Sequence, residues 1–375
     1  MKILHVCNYY KPHIGGIEQT AEDVVDSLSV HEQKVICFNH EKGSKKDEYG
    51  DIEIIRVGSF AKISSQELSF GFGKALKNVF AEFVPDIVIF HFPNPFEAHY
   101  LLKILKKSKC RLIVWYHLDI TKQKLLGKLF VGQTNRILDR ADKIVATSPA
   151  YVDGSPFLSP RKDKVIVIPS CIDEKRLICG SAESDRAADI RREFEDKILC
   201  FAFGRHVEYK GYRYLIDAAK YLDNNIRIVI GGSGPLTEEL KARTEQCSDK
   251  VTFTGRLSDP ELKAYLLACD IFCFPSITKN EAFGLALAEA MYFEKPAITF
   301  TIPGSGVNYV SLGSVTGIEV PNSDSKAYSE AISLLARDKE LRYKYGKAAK
   351  KRVEEKFMKA NFKINAEILI NSVFG

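Results

Sequence analysis

Glu281-Ala-Phe-Gly-Leu-Ala-Leu-Ala-Glu289 sets two carboxylates at the ends of a short apolar run that holds one glycine. Ahead of it stand a strand-like segment, Asp270-Ile-Phe-Cys-Phe-Pro-Ser276, and a polar loop, Ile277-Thr-Lys-Asn280. Residues Ala286 to Tyr292 are mostly good helix formers, which predicts a helix beginning near Phe283 or Gly284. Glu281 then lies in the loop and Glu289 inside the helix. A strand, a loop and a helix in that order put both at the carboxyl edge of a parallel sheet, where open α/β folds bind ligands. The free amides of Phe283, Gly284 and Leu285 at the helix start favour an anion. The stretch suggests a phosphate held by amides, with carboxylates accepting hydrogen bonds from hydroxyls. The plainer alternative is a buried helix with one capping and one salt-bridged Glu, and the rest of the chain has to decide.

Working upstream, Phe203-Gly-Arg-His-Val-Glu-Tyr-Lys-Gly211 carries two cations. Arg205 falls at the end of a strand predicted over Ile198–Gly204, and Lys210 just ahead of a helix over Tyr212–Leu222. An Arg fork and an ammonium at that edge suit a diphosphate. Between the two motifs, Gly231-Gly-Ser-Gly-Pro235 is a glycine loop, with Gly232 and Gly234 near the ligand edge and Pro235 opening a helix to about Gln246. Strands are predicted at Ile226–Gly231, Val251–Thr254, Ile271–Phe274, Pro296–Phe300 and Thr316–Val320. Ser258-Asp-Pro-Glu261 reads as a capping box. Helices close the chain near Asp324–Ala336, Lys339–Phe357 and Ala360–Phe374.

The first half repeats the plan. Strands are predicted at Lys2–Asn8, Lys34–Phe38, Ile52–Val57, Asp86–Phe90, Arg111–Tyr116, Lys143–Thr147 and Val165–Ile168. Helical patterns lie near Ile17–Leu28, Gly73–Phe83, Phe96–Lys107 and Lys122–Arg140. Tyr9-Tyr-Lys-Pro-His-Ile-Gly-Gly16 turns the first strand into a helix, and Gly15 and Gly16 let backbone approach an anion closely. It lacks the GxGxxG of a dinucleotide fold, which counts against an NAD oxidoreductase. His117 and Asp119 follow a strand and so belong to the ligand edge; a capping His is the alternative. Alternating strands and helices imply parallel sheets covered on both faces. The organisation expected is a first domain over 1–170, a linker over 171–195 and a second domain over 196–359. Two Rossmann-like domains facing across a cleft would hold a ligand between them.

The 375 residues are 45% hydrophobic and 27% charged, as in soluble globular chains. No apolar run reaches the ~18–20 residues of a membrane helix, and Met1–Cys7 reads as a strand rather than a signal peptide. Nine scattered cysteines without CxxC suggest buried thiols in a reducing compartment, so a cytoplasmic location is expected. Net charge is +6, but 101–169 holds 14 Lys and Arg against 5 Asp and Glu, which points to an acidic partner or to a solvated face. Nothing indicates nucleic acid. Within 101–143, Leu101, Leu102, Leu105, Leu125, Leu126, Leu129 and Phe130 alternate with Lys103, Lys106, Lys107, Lys109, Arg111, Lys122, Lys124 and Lys128. A basic amphipathic helix of that kind suits an anionic membrane surface, unless its leucines pack on the sheet.

The GR-x4-KG pattern at 204–211 and the E-x7-E pattern at 281–289 resemble the retaining GT-B glycosyltransferases of family GT4. The Gly15-Gly16 loop, the 231–235 loop and His117 fit the same family, and the resemblance spans nearly the whole chain. Ile302-Pro-Gly-Ser-Gly-Val-Asn-Tyr-Val310 further resembles mannosyl- and rhamnosyltransferases of bacterial surface-polysaccharide assembly. The resemblance implies a GT-B fold whose last helix, 360–375, packs back on the first domain. It implies that Arg205 and Lys210 hold the diphosphate as leaving group. Glu281 would accept from the donor sugar with the amides of Phe283, Gly284 and Leu285 beside it, and Glu289 from the ribose. Gly16 would admit the β-phosphate and acceptor, His117 would lie by the anomeric carbon, and the 231–235 loop with Thr254–Arg256 would line the base. The donor implied first is GDP-mannose and the acceptor a polyprenyl-diphosphate-linked saccharide. No Asp-x-Asp stands at a strand end, so no metal is expected. A sugar-phosphate or glucan synthase, or a non-catalytic nucleotide-sugar-binding module, are the alternatives. Glu294-Lys-Pro296 departs from the family's Gly-Lys-Pro and puts the helix cap there in doubt.

Overall fold

The structure, a computed structural model, describes residues 1–13, 15–39, 41–63, 66–119, 127–245 and 247–374; of 62, 63, 66 and 127–129 it describes the backbone alone. The chain divides into two units, Met1–Cys171 with Lys359–Gly375, and Ile172–Met358.

Unit 1 contains β1 (Lys2–Cys7), β2 (Glu32–Phe38), β3 (Lys45–Tyr49), β4 (Ile52–Val57), β5 (Ala61–Ile63), β6 (Gln66–Leu68), β7 (Ile87–Phe92), β8 (Arg111–Tyr116), β9 (Lys143–Ala146) and β10 (Val165–Val167). Its helices are α1 (Gly16–Ser27), α2 (Phe72–Phe83), α3 (Pro95–Leu105), α4 (Gly127–Arg140) and α5 (Pro149–Gly154). The main sheet runs β10-β9-β8-β7-β1-β2-β4-β3, parallel except for the β3–β4 edge. Central strands such as β7, buried at every position, read as continuous apolar runs because helices cover both faces. Strand order reverses between β1 and β7. There Asn94 caps α3, accepting from the amides of Phe96 (3.0 Å) and Glu97 (3.1 Å), while its Nδ2 donates to Asn8 Oδ1 (3.0 Å).

Unit 2 contains β11 (Ile198–Phe203), β12 (Ile226–Gly231), β13 (Val251–Gly255), β14 (Ile271–Phe274), β15 (Ala297–Phe300) and β16 (Gly317–Val320). Its helices are α6 (Glu174–Leu177), α7 (Ser181–Glu193), α8 (Tyr212–Ala219), α9 (Thr237–Ala242), α10 (Asp259–Ala268), α11 (Leu285–Tyr292), α12 (Val307–Val310), α13 (Ser325–Arg337) and α14 (Lys339–Lys356). The sheet is wholly parallel in the order β13-β12-β11-β14-β15-β16, the 3-2-1-4-5-6 arrangement of doubly wound folds, with its switch point between β11 and β14. The final helix, α15 (Lys359–Ser372), belongs to unit 1. It buries Phe362, Ala366, Leu369 and Ile370 against Ile3, Ile89 and Trp115, and Lys359 reaches Asp26 (2.9 Å) on α1.

Three sequence expectations change. Residues 171–195 are not a linker: α7 packs on α10 with Ile190 fully buried, and Lys263 pairs with Glu183 at 2.8 Å. The segment looked polar because α7 turns only a narrow stripe, Ala187 and Ile190, inward. Leu101 and Leu105 are core residues and Phe130 is buried, so they offer no apolar face to a membrane. The Leu125, Leu126 and Leu129 stripe, with Lys122, Lys124 and Lys128, lies outside the described residues and side chains. Finally, Glu294 adopts the left-handed conformation (φ 60°) where the family has Gly. Lys347 (2.8 Å) and Lys350 (3.4 Å) hold its side chain, and burial-opposed pairing to Lys347 lowers its pKa.

Candidate active site

The carboxyl ends of β11 and β14 deliver both motifs of unit 2 to its switch point. Gly204 (φ 147°) ends β11 in a conformation reserved for glycine. A Cβ there would come within 2.9 Å of Tyr212 Oη and 3.7 Å of Lys210 Cε. Gly211 (φ 64°) starts α8 against β14, where a Cβ would lie 2.1 Å from the Pro275 carbonyl. Ile277 N donates to Tyr209 O (2.9 Å). The two loops are thereby fixed to each other, and Lys210 meets Glu281 as an ion pair through Oε2, both side chains almost out of solvent.

Ser276 Oγ donates to the same Glu281 oxygen at 3.0 Å. Oε1 of Glu281 takes no hydrogen bond from any described residue. Burial would lower the Lys210 pKa, but the Glu281 charge, Tyr209 and the Glu281 hydrogen bond outweigh it and hold the ammonium above its ordinary value. Lys210 also stands 5.1 Å from the Phe274 ring centroid. Arg205 is exposed, and no carboxylate among the described residues pairs with it.

Helix α11 starts one residue later than expected. Gly284 (φ 98°) is its N-cap, with Phe274 close enough that a Cβ would lie 3.2 Å from its ring. Phe283 is buried with its ring edge-on to Phe357 (5.3 Å). The amides of Phe283, Gly284 and Leu285 donate to no described residue. Glu289, one turn into α11, is half-buried and remote in kind from the Lys210 pair. Burial raises its pKa to about 7, with Arg176 opposing and Asp259 adding to the shift. The 302–310 stretch buttresses the Glu281 loop. Ser305 Oγ donates to the Glu281 carbonyl, and a Cβ on Gly306 would lie 2.1 Å from Ala282 O.

The 231–235 glycines serve loop packing. A Cβ on Gly232 (φ 109°) would lie 2.0 Å from Gly204 O, and one on Gly234 would lie 2.4 Å from His206 O. His206, unremarked in the sequence, is fully buried, with Nδ1 3.0 Å from Thr237 Oγ1 and Nε2 unpartnered.

In unit 1, Gly15 (φ −172°) is the extended N-cap of α1, and the space a Cβ on Gly16 would fill is open. His117 follows β8 and is buried. Three imidazoles stack across adjacent strands: His5 on His91 (5.9 Å between ring centroids) and His91 on His117 (5.5 Å). His91 Nδ1 is 3.3 Å from His117 Nε2. Burial pushes His117 down to about 3 and His5 to about 4, so the stack is neutral at ordinary pH. Gln33 Nε2 donates to the Val25 and Leu28 carbonyls (3.0 Å each), so its Oε1 accepts, and His5 Nε2 carries the ring proton (2.8 Å). Asp119 is a buried structural carboxylate, accepting from Tyr116 Oη and Ser155 Oγ at 2.7 Å.

The structure therefore brings Lys210 and Glu281 into contact and seats Arg205 and the α11 start on the same sheet edge. Glu289 has a separate environment, and Gly15, Gly16 and His117 lie at the carboxyl edge of the other unit's sheet. Sequence reasoning missed Ser276, Ser305, Arg176 and His91. Ser276 stood at a strand end, which was the one available signal; the others act through tertiary contact.

Residues 184–352 match the family described as glycosyl transferases group 1, and residues 14–176 match glycosyltransferase family 4. O-antigen chain mannosyltransferase C of Escherichia coli is 33% identical over 361 residues, covering 95% of this chain and 94% of that protein. D-rhamnosyltransferase WbpZ of Pseudomonas aeruginosa is 30% identical, covering 95% and 92%. Among solved structures, sucrose-phosphate synthase from Thermosynechococcus elongatus superposes with a TM-score of 0.81 at 18% identity, covering 100% of this chain and 99% of that one. Anabaena Alr3699/HepE, solved with UDP and glucose, gives 0.79 at 17% identity, covering 99% and 100%. Two parallel α/β units, the two motif loops on one switch point and full-length relatives agree, and the chain belongs to the family 4 (group 1) glycosyltransferases of GT-B fold.

Proposed function

We propose that this glycosyltransferase moves a mannosyl residue from GDP-mannose, with retention, onto a polyprenyl-diphosphate-linked saccharide during bacterial surface-polysaccharide assembly. The observation that carries the reading is the Lys210–Glu281 pair beside Arg205. It sets a cation for phosphate against a carboxylate with an open oxygen for sugar hydroxyls. The full-length similarity to a mannosyltransferase supports the sugar.

In the reaction, the acceptor hydroxyl oxygen bonds to the anomeric carbon as the bond from that carbon to the diphosphate breaks. Attack is on the same face, through an oxocarbenium-like state, and the departing phosphate oxygen takes the acceptor proton. Negative charge grows on the diphosphate, where Arg205 and Lys210 act most strongly. The α11 amides at Phe283, Gly284 and Leu285 add dipoles of the same sign. Glu281 Oε1 accepts from the transferred sugar, and ionised Glu289 accepts from the ribose. The reading assigns the open backbone at Gly16 to the donor phosphate and the neutral ring of His117 to the transferred sugar. These cations replace a metal, so none is required.

D-Rhamnose is the 6-deoxy form of mannose, and the relationship to a D-rhamnosyltransferase favours that sugar as the second reading. No helix among the described residues is long and apolar enough to cross a membrane; the proposed setting is the cytoplasmic leaflet, with attachment at its surface. Thermal-shift and turnover measurements against GDP-mannose, GDP-rhamnose, UDP-glucose and dTDP-rhamnose test the donor, and NMR of the product tests retention. Turnover confined to a UDP-sugar, or an inverted product, would overturn the reading.

A further inference from the structure

Between β4 and α2 the chain makes a small hairpin, β5–β6, and two phenylalanines flank it. Phe60 N donates to Leu68 O (3.0 Å), so the hairpin's open end brings Phe60 and Phe70 together. Their rings stack at 4.3 Å and 7°. Phe60 is 58% exposed and Phe70 87%. Among the described residues only Phe374 joins them as an exposed phenylalanine, so this is a deliberate apolar knob, not scattered surface. It is also held in place. Glu67, buried on β6, accepts from Tyr9 Oη in the loop that leads to Gly15 and Gly16, and Ser69 Oγ donates to Gly58 O (2.7 Å). The knob therefore stands on the carboxyl edge of the unit 1 sheet.

Exposed lysines lie along the two neighbouring helices, Lys74 nearest the knob and the α3 lysines toward the amino edge of the sheet. Phe70 is followed by the Gly71 N-cap of α2, whose inner face buries Phe72, Leu76, Val79 and Phe83. Its outer face exposes Lys74 and Lys77. Helix α3 packs beside α2, with the Tyr100 ring lying where a Cβ on Gly73 would be (2.5 Å), and Lys103, Lys106, Lys107 and Lys109 are exposed at and beyond its end. None of these six lysines pairs with a carboxylate among the described residues. An uncompensated cationic layer beside a stacked aromatic pair fits an anionic bilayer: the rings enter the headgroup boundary and the ammonium groups meet lipid phosphates.

We propose that the Phe60–Phe70 pair and the α2–α3 lysines dock unit 1 on an anionic lipid surface, with the aromatic pair as the apolar anchor. The inference rests on the lipid-linked acceptor for its purpose. The test is co-sedimentation of the full chain with phosphatidylglycerol-containing vesicles and with pure phosphatidylcholine vesicles, at low and high salt. The wild type should bind only the anionic vesicles, and less at high salt. Phe60→Ser/Phe70→Ser and Lys74→Gln/Lys77→Gln should each weaken binding roughly tenfold or more. Both pairs are exposed, so neither should lower the Tm. Turnover on a lipid-free saccharide acceptor should stay unchanged in both. Equal binding to neutral vesicles, or variants that bind like wild type, would overturn the proposal. So would a raised KM for the lipid-free saccharide with vesicle binding intact, which would make Phe70 a sugar platform. Docking without use of a lipid-linked acceptor would leave the surface standing and remove the acceptor reading; use of that acceptor without docking does the reverse.

Discussion

Lys210 and Glu281, 71 residues apart in sequence, neutralise each other at the switch point of unit 2, and Ser276 supports the shared oxygen. On the proposed reading, the cation for phosphate and the carboxylate for sugar hydroxyls form one electrostatic unit before any ligand arrives. A bound diphosphate would then share Lys210 with Glu281, which prepares the ammonium's position without leaving it bare.

The pair predicts a non-additive cycle. Lys210→Met and Glu281→Gln should each destabilise the protein, by ~3 kcal/mol where a nearly buried charge is left alone. The double variant should regain most of that stability yet lose activity by ~10²–10³ or more. Urea denaturation and initial rates measure both. Additive stability losses would show that the two charges do not depend on each other.

Arg205 behaves differently because it is exposed and has no carboxylate partner among the described residues. Arg205→Ala should leave stability within ~0.5 kcal/mol and reduce kcat by ~10²–10³. Near-normal kcat removes Arg205 from the leaving-group role.

Glu289 predicts opposite pH trends for stability and for donor binding. Its pKa is raised by burial to about 7 in the folded protein, above the ~4.3 of an unfolded Glu. Its contribution to stability is therefore complete below the unfolded value and lost as pH rises through about 7. Nucleotide affinity should rise over the same span, by several-fold from pH 6 to 8, because ribose hydroxyls bind the ionised form. Glu289→Gln should flatten both curves in calorimetric titration and thermal melts. Affinity that falls with rising pH would exclude the carboxylate as ribose acceptor.

Metal removal should change nothing. Activity after dialysis against excess EDTA should match the untreated enzyme, since Arg205 and Lys210 supply the charge. Loss on chelation with recovery on added Mg²⁺ or Mn²⁺ would reverse this.

The main elements were legible because their physics is local. The strand Ile271–Phe274 is apolar throughout, as a strand covered on both faces must be, and Ser258 caps α10 by accepting from Glu261 N (3.4 Å), half of the expected capping box, while the Glu261 carboxylate pairs with Arg186 (3.2 Å) instead. Strand β3, Lys-Lys-Asp-Glu-Tyr, was invisible because an exposed edge strand needs no apolar pattern. It is held by pairing to β4 and by ion pairs such as Arg56–Asp47 (2.9 Å). The motifs located the site residues on their elements, but the Lys210–Glu281 contact, the Ser305 buttress and the His91–His117 stack depend on loops from distant positions. Sequence spacing carries no record of such meetings.

Helix α15 has a consequence for the timing of synthesis. Trp115 packs against Phe362 (5.6 Å between ring centroids), so the core of unit 1 cannot close until the last helix has been made. Residues 172–358, all of unit 2, leave the ribosome in between. At about 5–20 residues per second that interval is roughly 10–40 s. During it, the older half of the nascent chain waits with the surface around Trp115, Ile89 and Ile3 uncovered, while the younger half completes its own core. The second unit's residues are complete first, and the first unit is the one whose apolar surface stays open longest.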